Sequence, residues 1–268
     1  MNSNLKLDIV AKYQRDGWVI VKKFFKKKDI KTIKSQILKK VSKTKKNDFF
    51  YFEKINNKKR LRRIERISDF SATSKKIIYS KKIFKLIKNI KNKQFDLFKD
   101  KLNFKYPGGK GYLPHVDGHF FWRDKDNKIQ EGWKKYSSDF INLVIPLEKS
   151  DIKNGCLYLA NNKDLKKIGN TFKNITKKMT LGTPNIKFKD KKKFKYKPAI
   201  LDEGDICLFD WKCAHYSKNN NSNKSRMIFY ATYYKRNGQK NVRNKYYLDK
   251  KLSLNDKKNK SLLFSKKS

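Results

Sequence analysis

The chain has 268 residues, and 70 basic residues against 24 acidic ones give it a formal net charge of +46. That surplus raises nucleic-acid binding as a role. The lysine pairs and triplets, however, are scattered from Lys22-Lys23 to Lys257-Lys258 with no confined stripe and no zinc-finger, RRM or helix-turn-helix pattern, so nucleic acid is not the expected partner. No run of eighteen apolar residues marks a membrane span, and three cysteines without Cys-X-X-Cys spacing argue against a disulfide or zinc framework.

In chain order, residues 5–16 and 28–42 carry apolar positions at helical spacing, for example Ile30, Ile33, Ile37, Leu38 and Val41 with lysines between. Between them Gly17-Trp18-Val19-Ile20-Val21 reads as a strand. Residues 76–90 form another amphipathic pattern, and 92–99 are expected to extend the same helical layer. From about residue 101, alternating β-branched and aromatic runs at 101–106, 112–117, 140–147, 156–160, 198–201, 206–210 and 227–234 predict strands. The expected fold is therefore mostly β with flanking helices. A single domain spans 1–254, with a helical layer over about 1–100 buttressing a sandwich or barrel over about 101–248, and 255–268 is a polar basic tail. The charged stretch 123–139 reads as a loop over one mouth. No leader pattern follows Met1-Asn2-Ser3-Asn4, and Cys156, Cys207 and Cys213 read as buried thiols, so a cytoplasmic location is expected.

Histidine is scarce, with three in the chain, and two of them sit where a mononuclear metal site needs them. His115 and Asp117 lie two apart in a predicted strand, so both side chains face one side, and His215 follows the apolar run Ile206-Cys207-Leu208-Phe209. Two neutral imidazoles and one carboxylate occupy one face of an octahedral Fe(II) and leave positions for a chelating acid and dioxygen. A His-X-Asp triplet alone is common by chance. Its setting after the turn-rich Tyr106-Pro107-Gly108-Gly109-Lys110-Gly111 strengthens it. Arg226, one of nine arginines among the 70 basic residues, lies eleven positions past His215. Its planar fork can hold a carboxylate bidentately, which lysine cannot do.

The run Lys101-Leu102-Asn103-Phe104-Lys105-Tyr106-Pro107-Gly108-Gly109, continuing to His115-Val116-Asp117, resembles the core motif of the phytanoyl-CoA dioxygenase superfamily of Fe(II)/2-oxoglutarate oxygenases. Asn142-Leu143-Val144-Ile145-Pro146-Leu147-Glu148, then Lys153-Asn154-Gly155-Cys156-Leu157, and Gly204-Asp205 through His215 to Arg226, resemble its later motifs in the same order. Within the superfamily the wording is nearest to the bacterial 2-aminoethylphosphonate hydroxylases, as is Tyr230-Ala231-Thr232-Tyr233 leading to Asn244 through Lys250. The resemblance implies a double-stranded β-helix core, with cofactors Fe(II) and 2-oxoglutarate, and His115, Asp117 and His215 as metal ligands. It implies that Arg226 binds the distal carboxylate of 2-oxoglutarate with help from Ser217, and that Asn103 and Tyr112 line that co-substrate. Because relatives that halogenate lack the aspartate, Asp117 implies hydroxylation.

The implied partners are dioxygen and a small, anionic substrate such as 2-aminoethylphosphonate, with no membrane partner. A phosphonate needs cationic or donor groups near the metal, and strand phase offers Lys101, Lys105 and His119; the alternative is a solvated surface charge, which is favoured for the two lysines, or for His119 a partly buried neighbour. Two other readings stay open. One is the same chemistry on a lipid-CoA, an amino acid or a compatible solute, and the other is a non-enzymatic basic binding protein.

Overall fold

The computed structural model describes residues 3–45, 47, 49–118, 121–124, 126, 128–161, 186 and 192–255. His119 and the tail beyond Asn255 lie outside the described residues. The amphipathic N-terminal patterns become α1 (Ser3–Asp16), α2 (Lys27–Lys43), α4 (Ala72–Ile78) and α5 (Lys81–Lys91), with a one-turn α3 (Ile67–Phe70) between, and β1 (Trp18–Val21) separates the first two. Ser80 caps α5 by accepting a hydrogen bond from the Ile83 N–H.

Two expectations for this half are corrected. Residues 92–99 do not extend the helical layer. Asn92 adopts a left-handed conformation that ends α5, and Phe95–Lys105 then runs as an eleven-residue strand, β4. Residues 50–65, which the expected helical layer spans, form a hairpin of β2 (Phe50–Ile55) and β3 (Lys58–Glu65). Asn56 and Asn57 both have positive φ, as a two-residue turn that matches strand twist requires.

The remaining strands are β5 (Tyr112–His115), β6 (Phe121–Arg123), β7 (Ile129–Glu131), β8 (Phe140–Pro146), β9 (Leu157–Ala160), β10 (Tyr196–Ala199), β11 (Ile206–Asp210), β12 (His215–Ser217) and β13 (Arg226–Lys235), followed by α6 (Val242–Asn255). A seven-stranded sheet runs β1-β11-β8-β13-β4-β3-β2 and a four-stranded sheet runs β10-β9-β12-β5, with every pairing antiparallel. The fold is a double-stranded β-helix flanked by helices. The stretch 123–139 is less of a loop than expected. The ribbon β6-β7 is followed by a 3-10 turn at Gly132–Lys135, and Trp133 in that turn is buried against Phe98 and Phe140.

Strand periodicity decides which side chains see the interior. On β8 and β13, Ile141, Leu143, Ile145, Met227, Phe229, Ala231 and Tyr233 face the core shared with Ile9, Ile30, Ile37, Ile83 and Ile87 of the helices. The opposite phase, Val144, Cys207 and Ile228, packs between the sheets with Leu157 and Leu159. On β4, Leu97, Leu102 and Phe104 take the helical side. That leaves Lys99, Lys101, Asn103 and Lys105 on the interior phase. An all-apolar sandwich would not tolerate four such residues, so this half of the interior is a polar pocket rather than a core.

Candidate metal centre

β12 lies between β9 and β5, and its register sets His215 directly opposite His115. The two imidazole rings stand 4.2 Å apart. Asp117, two residues beyond His115, completes the group: one ligand atom from each of His115, Asp117 and His215 lies within 4.8 Å of the others. Each ring is oriented through Nδ1. His115 Nδ1 meets the Leu113 carbonyl at 2.6 Å and His215 Nδ1 meets the Cys213 carbonyl at 2.9 Å. A carbonyl can only accept, so the proton sits on Nδ1 and each Nε2 lone pair is free to ligate. His215 Nε2 is 3.8 Å from Asp117 Oδ2.

Burial lowers the His115 pKa to about 3, with His215 adding to the effect. Burial likewise lowers that of His215, although Asp117 opposes it. Burial alone would raise the Asp117 carboxyl, but His215, Lys99 and His115 outweigh it and hold it below the ordinary carboxylate range. At neutral pH the group is therefore two neutral imidazoles and one carboxylate, the protonation state a divalent cation requires.

Sequence reasoning missed the support beneath Asp117. Asn142 of β8 donates its side-chain N–H to Asp117 Oδ2 at 3.0 Å, and its own carbonyl accepts from Thr232 Oγ1 at 2.7 Å. Asn142 and Thr232 are cross-strand partners of β8 and β13. The signal was available as a lone amide in the otherwise apolar run Phe140 to Ile145.

The other expected site residues gather on one side. Arg226 is buried at the start of β13 opposite Lys105, its Nη1 is 3.5 Å from Ser150 Oγ, and its Nε has no hydrogen-bond partner among the described residues. Ser217 Oγ accepts from Lys105 Nζ at 2.9 Å and from the Tyr112 N–H at 3.2 Å. Lys105 Nζ also donates to the carbonyls of Lys218 at 2.7 Å and Gly155 at 3.2 Å, so in its charged form each of the three ammonium protons has an acceptor within the protein. The side chain expected at the substrate therefore points to Ser217 instead. Burial, with Arg226 and Arg62 nearby, pushes its pKa down to about 6.

Asn103 is buried with Oδ1 unbonded among the described residues. Tyr112 has the Arg62 guanidinium 4.6 Å over its ring. Lys101 is partly buried, with its ammonium 5.2 Å from the Tyr230 ring. Gly111 lets β5 approach β12: a Cβ there would lie 2.1 Å from the Ser217 carbonyl oxygen. The missed hairpin clamps the same point, because Arg62 bridges Glu53 and the Gly111 carbonyl.

The sequence profile of the phytanoyl-CoA dioxygenase (PhyH) family matches residues 13–228. The chain belongs to the phytanoyl-CoA dioxygenase family. Three curated relatives match over most of its length. The dioxygenase lolE1 of Epichloe uncinata is 25% identical over 197 residues, which is 74% of this chain and 68% of the relative. The 2-aminoethylphosphonate dioxygenase of uncultured bacterium HF130_AEPn_1 is 27% identical over 209 residues, 75% and 70% respectively. The methylphosphonate hydroxylase of Gimesia maris is 22% identical over 256 residues, 94% and 89%. Among solved structures, the non-heme alpha-ketoglutarate-dependent epimerase SnoN from nogalamycin biosynthesis superposes with a TM-score of 0.66 at 14% identity, covering 90% of this chain and 89% of its own, and shares the fold.

As a member of the phytanoyl-CoA dioxygenase family this protein is an oxygenase whose cofactors are Fe(II) and 2-oxoglutarate. The donor set fits the metal: two nitrogens and one carboxylate oxygen on one side, with no fourth protein ligand in the group found among the described residues. The unbonded Arg226 Nε fits the co-substrate. No helix among the described residues is long and apolar enough to cross a membrane.

Proposed function

We propose that this protein is an Fe(II)- and 2-oxoglutarate-dependent hydroxylase of a small anionic molecule, with a phosphonate as the leading substrate class. The observation that carries the reading is the convergence of His115, Asp117 and His215 with both Nδ1 atoms tied to backbone carbonyls. Bound iron and 2-oxoglutarate supply the oxidising chemistry, with succinate and carbon dioxide as by-products.

The chain's own residues bind and orient. Arg226 takes the distal carboxylate of the co-substrate through its uncommitted guanidinium edge. Ser217 joins it. With both lone pairs of Oγ engaged by Lys105 and Tyr112, its proton remains to be donated to that carboxylate. Lys105 thus acts as a positioning residue. Asn103 Oδ1 and the Tyr112 ring lie along the same wall, where we place contacts to the co-substrate. The presence of Asp117, where halogenating relatives have a small residue, supports hydroxylation. The phosphonate preference is supported by two of the curated relatives and by the cations lining the pocket. The burial of Cys156, Cys207 and Cys213 supports a reducing, cytoplasmic location.

The test is anaerobic addition of Fe(II) and 2-oxoglutarate, read as a visible charge-transfer band, followed by succinate release across a panel of phosphonates, amino acids and compatible solutes. His215→Ala is expected to abolish the band. Arg226→Ala is expected to raise the Michaelis constant for 2-oxoglutarate by about thirtyfold or more while leaving iron affinity within about threefold. A wild-type protein that takes up no iron would overturn the reading.

A further inference from the structure

On the interior phase of β4, Lys99 and Lys101 project toward the metal centre. Both groups act electrostatically on Asp117 and His215, and Lys101 also acts on His115. Neither ammonium makes a hydrogen bond or ion pair with a described residue; each lies over an aromatic ring instead, Lys99 3.8 Å from the centre of Trp133 and Lys101 5.2 Å from that of Tyr230. The acids on this face are already engaged. Asp117 is a metal ligand held by Asn142, and Glu65 pairs with Lys250 of α6 and with Arg63 at 3.4 Å.

Two ammonium groups that share a half-buried pocket without a carboxylate of their own are costly, because each loses hydration and repels the other. The cost is visible at Lys99, whose pKa burial pushes down to about 7, with Lys101 and Lys250 adding to the drop. Burial lowers Lys105 as well, to about 6, so what sets Lys99 and Lys101 apart from the structural lysines is the lack of acceptors among the described residues. Lys91 bridges Asp139 and Asp210, and Lys105 spends its three protons on three oxygens.

We infer that Lys99 and Lys101 form the receptor for the anionic head of the substrate, a tetrahedral oxyanion held between the two ammonium groups beside the metal. The inference rests on the oxygenase reading and deepens it by assigning the specificity residues. A tetrahedral dianion presents oxygens to both cations at once and offsets their repulsion, which a neutral hydroxyl or a single planar carboxylate does less well. The pocket offers no uncommitted carboxylate among the described residues, so the contribution of a substrate ammonium is secondary. Lys99 is a β4 residue that the strand-phase argument passed over, because 92–99 were expected to be helical.

The experiment is calorimetric titration of methylphosphonate, 2-aminoethylphosphonate, inorganic phosphate and acetate into protein loaded anaerobically with Fe(II) and 2-oxoglutarate, for the wild type, Lys99→Met, Lys101→Met and Lys99→Arg. Expected is binding of at least one phosphonate, weakened by about tenfold or more in each methionine variant and retained in Lys99→Arg. The charge-transfer band should stay intact in all variants. Preference for inorganic phosphate over both phosphonates would keep the oxyanion receptor and reassign its source. Phosphonate affinity within about twofold of wild type in both methionine variants, or acetate binding as tightly as the tetrahedral anions, would overturn the inference while the band still upholds the oxygenase reading. Loss of iron affinity in Lys99→Met with unchanged phosphonate affinity would likewise overturn it, since Lys99 would then only balance Asp117. Absence of the band in the wild type would remove the oxygenase reading itself.

Discussion

Asp117 cannot hold a metal well unless its carboxylate is fixed, and the fixing comes from a polar relay across two central strands. Thr232 donates to the Asn142 carbonyl, which sets the amide so that its N–H points at Asp117 Oδ2. Removing the relay leaves Asp117 Oδ2 without this donor and the whole carboxylate freer to turn about its Cβ–Cγ bond. Asn142→Leu is therefore expected to weaken iron binding by about 10- to 100-fold while the protein remains folded, as measured by iron titration against a competing chelator. Affinity equal to wild type would show that the metal alone orders the carboxylate. The His115, Asp117 and His215 group was legible in the sequence and the relay was not. His115 and His215 are two of three histidines and stand in strand patterns, so type and spacing suffice. Asn142 and Thr232 are common residues whose meaning depends on the β8–β13 register, which is a property of the sheet. Lys105 shows the same limit, since strand phase gives its face but not the three acceptors that draw it toward Ser217.

Elements were readable where one face is apolar. The helices α1 and α2 and the strands β8, β11 and β13 each bury a regular apolar phase, and their patterns locate them to within a few residues, whereas the single pattern over 76–90 divides at Tyr79-Ser80 into the end of α4 and α5. β3 escaped because its inner face is charged: Arg63 and Glu65 are buried beside Ile64, so the segment Lys58–Glu65 carries almost no hydrophobic alternation. The start of β4 was hidden differently: a bulge against β13 buries both Leu97 and Phe98 and breaks the alternation. Glu65 explains how the charged inner face of β3 is tolerated. Burial by itself would raise its carboxyl, yet Lys250 and Arg63 outweigh that and hold the pKa at about 2, which fastens β3 to α6. The folded pKa lies below the ordinary value of 4.5, so the stabilisation is present above about pH 4.5 and is lost as pH falls toward about 2. It amounts to roughly 3 kcal/mol, with the desolvation of Glu65 already set against its ion pairs. Denaturant unfolding at pH 6 and pH 3 is expected to show a smaller stability difference in Glu65→Gln than in wild type. An identical pH dependence in the two proteins would place the acid sensitivity elsewhere.

At the scale of the whole molecule, the charge excess is a property the sequence states outright and the fold puts to use. Helices cover one face of the seven-stranded sheet with apolar residues, so most lysines are left on the outside, where a net charge of +46 makes a long-range positive field. Inside, Arg226, Lys99 and Lys101 continue that field to the metal centre, which gives a dianionic co-substrate a potential that deepens along its path. Such a field acts on encounter, and if the anion sits on Arg226 as proposed, the contact is buried and poorly screened. Raising potassium chloride shortens the screening length from about 10 Å at 0.1 M to about 3 Å at 1 M. The association rate of 2-oxoglutarate with the iron-loaded protein, followed anaerobically by stopped flow, is therefore expected to fall by about tenfold over that range, whereas the dissociation rate changes by less than about twofold. Equal changes in both rates would mean that salt acts on the bound contact, and a flat association rate would mean that the surface lysines contribute solubility and nothing to capture.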